Sequence, residues 1–105
     1  MIEVTDESFE AEVMESNQPV VIDFWATWCN PCRAMAPIFE TVAAEFEGKA
    51  KFVKIDIEVV NPNIAQQFNV RAIPTLVLVK HGGVVNTLSG AHPQERISAW
   101  LLTNL

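Results

Sequence analysis

From Val20 to Ala26 the chain is apolar at every position except Asp23. A strand with one wet face alternates polar and apolar residues, whereas an unbroken apolar run needs cover on both faces. The segment therefore predicts a central strand, and a central strand demands neighbours on each side and helices above and below. Ile2 to Val4 reads as a short strand, and Thr5 or Asp6 as the cap of a helix bearing Phe9 and Val13, which Asn17-Gln18-Pro19 ends. Met35, Ile38, Phe39, Val42, Ala43 and Phe46 follow the spacing of one helical stripe. Pro37 is expected to kink that helix and Gly48 to stop it. Lys51 to Ile57 reads as another strand, and Asn61-Pro62 as the start of a short helix carrying Ile64, Ala65 and Phe68. Two β-branched runs between Thr75 and Leu88 flank His81-Gly82-Gly83, the pattern of an antiparallel hairpin. Pro93 opens a last helix with Ile97, Trp100 and Leu101 facing inward; packing is the favoured reading for Trp100 and the plain alternative for Trp25. The order predicts an α/β fold, a central mixed β-sheet flanked by helices on both faces.

No linker, repeat or charge block interrupts this alternation, so residues 1–105 are expected to form one domain. Half the residues are hydrophobic and 19% are charged, which fits a packed core and not a disordered chain. Seven basic residues face thirteen acidic ones, for a net charge of -6, so phosphate backbones are disfavoured and nucleic acid is not expected as a partner. The first residues show no basic segment leading into an apolar one, and Asp23 cuts the longest apolar stretch far below the roughly 18 residues of a membrane span. The expectation is a cytoplasmic protein without a membrane partner.

The only two cysteines lie in Cys29-Asn30-Pro31-Cys32, between the central strand and the striped helix. Sites in such sheets favour the carboxyl ends of parallel strands. The nucleophile in disulfide exchange is the thiolate, and the unpaired N–H groups at a helix N-terminus favour a negative sulfur. Cys29 stands just before the helix, and Pro31 suits its first turn because it has no N–H to leave unpaired. Cys32, within that turn, is placed to attack a mixed disulfide on Cys29. Three blander readings compete. A structural disulfide across two intervening residues would constrain little chain. A zinc site needs about four ligands, yet His81 and His92 are in distant segments. Two inert core cysteines fit poorly at a strand-to-helix turn. Redox chemistry is the favoured reading.

The segment Val21-Ile22-Asp23-Phe24-Trp25-Ala26-Thr27-Trp28-Cys29-Asn30-Pro31-Cys32 resembles the active-site stretch of the thioredoxin family. Ala36-Pro37, Lys54-Ile55-Asp56, Ile73-Pro74-Thr75 and Gly90-Ala91 extend the resemblance, in order and spacing, over almost the whole chain. Two features depart from it. Asn30 stands where the family usually has Gly, and Glu58-Val59-Val60-Asn61 is about one residue longer than in common bacterial members.

The resemblance implies a thioredoxin fold and a protein disulfide reductase in which Cys29 attacks and Cys32 resolves. No cofactor is expected to be bound, since electrons come from an external thioredoxin reductase-type donor; the implied partners are that reductase and disulfide-containing protein substrates, and the protein is expected to be a monomer. Asp23, whose pKa burial should raise, is implied to take or relay the Cys32 proton, with Lys54 as its candidate partner. The alternative for Asp23 is a hydrogen-bonded structural carboxyl, and for Lys54 a surface lysine. Likeness to the family also implies a cis bond at Ile73-Pro74, which would leave the Ile73 backbone free to pair with an extended substrate. Trp28, Asn30, Pro31, Ile73, Pro74, Gly90 and Ala91 are the implied substrate-binding surface. A disulfide oxidase or isomerase of the same fold is the nearer rival, kept open by Asn30. The further one is an accessory subunit that binds a partner without turnover.

Overall fold

The computed structural model describes residues 1–105. Five strands form one mixed sheet: β1 (Ile2–Glu3), β2 (Val20–Trp25), β3 (Lys51–Asp56), β4 (Thr75–Lys80) and β5 (Gly83–Ser89). Their spatial order is β1-β3-β2-β4-β5. β3 runs parallel to both β1 and β2, while β4 is antiparallel to β2 and β5 to β4. The expected mixed sheet is present, and β2 is its middle strand. Because side chains alternate across a strand, β2 feeds two cores. Val20, Ile22 and Phe24 join Val53, Ile55, Val77 and Val79 on one face, closed by Phe9, Val13, Ile64 and Phe68. Val21 joins Phe52, Leu76 and Leu78 on the other, where helices α1 (Asn30–Glu45) and α3 (Gln94–Asn104) cover it with Met35, Phe39, Val42, Ile97 and Leu101.

Local chemistry sets the ends of these elements. α1 runs through Pro37 and ends at Glu45 with Phe46 as its C-cap, two residues before the expected stop, and Gly48, with φ +84°, lies in the turn that follows. Asn61 caps α2 (Pro62–Gln67) by accepting the Asn63 N–H at 2.9 Å. Pro93 is the N-cap of α3. The β4–β5 hairpin turns on His81 and Gly82, both with positive φ, as a two-residue turn matched to strand twist requires.

The first helix starts at a cap that the sequence predicts. Glu10–Met14 winds as one π-type turn, and Phe9 and Val13 are buried as expected. Thr5 caps the helix: Thr5 and Ser8 side chains accept each other's backbone N–H groups, and the Phe9 N–H donates to the Thr5 carbonyl at 3.0 Å. No helix is long and apolar enough to cross a membrane.

Candidate active site

β2 ends at Trp25, and the fully buried Ala26 accepts the Cys29 N–H at 3.2 Å, folding the chain back toward α1. Cys29 is the N-cap residue of α1, in an extended conformation. Its sulfur accepts the Cys32 N–H at 3.2 Å, in the place where a Ser or Asp oxygen would cap a helix. Cys29 and Cys32 are joined in a disulfide, with Cα atoms 5.3 Å apart. Cys29 is 6% exposed and Cys32 2%, so the sulfur that the helix terminus favours is also the more accessible one. Asn30 and Pro31 are exposed in the first turn, and the Asn30 side chain bonds to no other group of the chain. No set of His, Cys, Asp or Glu side chains converges as a metal site.

The other residues expected at the site come from separate loops. Ile73 packs against Ala26, Cys29 and Cys32, and the Ile73–Pro74 bond is cis. The Pro74 carbonyl accepts the Gly90 N–H at 2.8 Å, which ties the loop after β5 to the loop before β4. Gly90 has φ +89°, a conformation that strains any residue with a Cβ. Trp28 is 62% exposed, and its Nε1 donates to Glu58 Oε1 at 2.7 Å. Between Trp28, Ile57, Val70 and Ile73 lies an apolar hollow of about 370 Å³ with Arg71 on its lining. On the other side, Ala91 and Pro93 face Met35 and Ile38 across a hollow of about 240 Å³. A larger hollow, about 560 Å³, is lined by Met1, Glu40, Gly48 and Lys51 and includes none of these residues.

Two acidic side chains of the sheet are buried, Asp56 at 9% exposure and Asp23 completely. Asp23 has no exposed surface, and neither of its carboxyl oxygens has a hydrogen-bond partner. Burial pushes its pKa up from 3.8 to about 7; the positive charge of Lys54 opposes the rise and the negative charge of Glu3 adds to it. Lys54 stands opposite Asp23 on β3, yet its Nζ lies 4.3 Å from the centroid of the Trp25 ring. It forms no ion pair with Asp23 and acts on it only through space.

Sequence reasoning missed four contributors. Glu58 and Arg71 carried no signal of their own, and Ile57 was read only as the end of a strand. Glu3 matters because β1 pairs with β3, a strand order that no local pattern encodes. Trp25, for which packing is the plain alternative, is only half-buried and donates Nε1–H to Glu3 Oε1 at 2.9 Å.

Residues 1–103 match the family model described as thioredoxin. Thioredoxin 1 of Nostoc sp. is 44% identical over 103 residues, covering 98% of this chain and 95% of the relative. A thioredoxin of Rickettsia bellii is 42% identical over 102 residues, 97% and 96% of the two chains. Thioredoxin C-2 of Corynebacterium nephridii is 40% identical over 105 residues, 100% and 96%. The shared chemistry is thiol-disulfide exchange, and the cysteine pair capping α1 has the form that this chemistry requires, so the protein is a thiol-disulfide oxidoreductase that reduces protein disulfides. The chain belongs to the thioredoxin family.

Proposed function

We propose that the reducing dithiol works in two displacements, Cys29 first and Cys32 second. Cys29 thiolate attacks one sulfur of a substrate disulfide; an S–S bond forms between them, and the other substrate sulfur leaves as a thiolate that takes up a proton. Cys32 then gives its proton to Asp23 and attacks the Cys29 sulfur. The mixed disulfide breaks, the second substrate thiolate departs, and the Cys29–Cys32 disulfide remains, two electrons having passed to the substrate. Asp23 suits the proton step because a carboxyl near neutrality is a stronger base than an ordinary Asp. Trp28, Asn30, Pro31, Ile73, Pro74, Gly90 and Ala91 form the substrate face, with the Ile73 backbone pairing with an extended segment by strand addition.

The observation that carries this reading is the Cys29 sulfur itself, at the cap of α1 and accepting the Cys32 N–H. Support for the direction of electron flow comes from the family. The dithiol is regenerated by a thioredoxin reductase-type donor with no cofactor held by this chain. The protein acts as a cytoplasmic monomer in electron transport and redox homeostasis. Insulin reduction tests the scheme: Cys29→Ser is expected to leave no more than a few per cent of wild-type activity, and greater activity would refute the assignment.

A further inference from the structure

Three ionisable side chains lie in a row across adjacent strands. Glu3 of β1 is opposite Lys54 of β3, and Lys54 is opposite Asp23 of β2, so all three project to the sheet face that α1 and α3 cover. Trp25, two residues beyond Asp23, shares that face, and there it meets both outer members of the row. Its Nε1 donates to Glu3 Oε1 at 2.9 Å, and its ring carries the Lys54 ammonium at 4.3 Å. The other groups on this face offer Asp23 no rival cation. β4 places Leu76 opposite it, α1 brings Cys32, Met35 and Phe39, and α3 brings Ile97, Trp100 and Leu101. Asp56, opposite Trp25 on β3, already accepts the Glu58 N–H at 2.9 Å.

We propose that Glu3 is a positioning residue that governs the protonation of Asp23: by fixing the Trp25 indole it keeps Lys54 on the ring and off the Asp23 carboxyl, while its own charge opposes ionisation of Asp23. The consequence for turnover rests on Asp23 being the proton acceptor. An Asp23 paired with Lys54 would be ionised throughout the neutral range but too weak a base to draw a proton from a thiol of pKa about 8.5. Without that pairing, Asp23 stays unpartnered and buried, and burial keeps it a stronger base.

Two variants separate the charge of Glu3 from its grip on Trp25. Glu3→Gln keeps an oxygen for the indole N–H and loses the charge; Glu3→Leu loses both. Both changes fall on an exposed, two-residue edge strand. The Asp23 carboxyl is followed by carbon-13 NMR in the oxidised protein, where no thiol titrates beside it, and turnover is followed as a pH profile. The titration midpoint is expected to move to lower pH by about half a unit in Glu3→Gln and about one unit in Glu3→Leu, with the turnover profile following. The Trp25 indole resonance moves only in Glu3→Leu. A midpoint that stays in place or rises in both variants overturns the proposal, and equal shifts in the two overturn the link through Trp25. If the midpoint moves as expected and the turnover profile does not, the role of Glu3 toward Asp23 stands and the assignment of Asp23 as proton acceptor falls.

Discussion

Lys54 is the register partner of Asp23 across β2 and β3, yet its ammonium rests 4.3 Å from the Trp25 ring centroid and forms no ion pair with the carboxyl. A buried carboxyl with a cation held nearby but not bonded keeps a pKa raised by burial and only partly lowered by the charge. Lys54→Met therefore raises the Asp23 midpoint further above its ordinary range, by about one unit or less. Carbon-13 NMR of the oxidised protein reads the shift directly. An unchanged or lower midpoint in the variant contradicts the arrangement.

Asp23→Asn stabilises the fold and slows turnover. In the unfolded chain Asp23 ionises near 3.8, whereas in the native state it ionises near 7. Between those values the unfolded state binds fewer protons than the native state, so wild-type stability falls as pH rises through the window and levels off above it. The native shift of about three pH units corresponds to an upper bound of about 4 kcal/mol above pH 7. Urea unfolding at pH 4 and pH 8 should show the stability difference between variant and wild type growing across that range. A constant difference would show that Asp23 does not titrate abnormally, and unchanged turnover from pH 6 to 8 would make it a structural residue only.

Asn30→Gly is expected to make the protein a stronger reductant. Asn30 adjoins Cys29 in the first turn of α1, exposed and free of other bonds, so its amide can donate to the thiolate once the disulfide is reduced. Stabilising the thiolate stabilises the reduced form and raises the potential. A hydrogen bond to a charged group contributes about 1.5 kcal/mol at best here, which limits the change to about 30 mV. Equilibration of both proteins with one glutathione buffer measures it. A Gly variant with a potential equal to or above wild type, or a Cys29 thiol pKa that does not rise in it, contradicts the role of Asn30.

Much of this site was legible because its chemistry is local in the chain. The apolar run of β2, the stripe of α1 and the Cys29-Asn30-Pro31-Cys32 segment are contiguous, and a helix N-terminus is set by the residues that form it. What escaped was non-local. Lys54 was placed on the correct strand, but whether its long side chain would settle on Asp23 or on Trp25 depends on Glu3, which reaches Trp25 only through the pairing of β1 with β3. The same holds for Trp28, whose partner Glu58 comes from the loop after β3. The cis bond at Ile73–Pro74 followed from family resemblance alone, since the residues themselves favour trans.

The order of the two thiols is the centre of the account, and trapping the mixed disulfide tests it most directly. Reduced Cys32→Ser and Cys29→Ser proteins are each incubated with a disulfide-containing protein and examined by intact mass. The Cys32→Ser protein keeps the attacking thiol at the cap of α1 and is expected to accumulate a covalent adduct with the substrate, while Cys29→Ser accumulates none. An adduct on Cys29→Ser with none on Cys32→Ser would reverse the roles of the two residues and contradict the account.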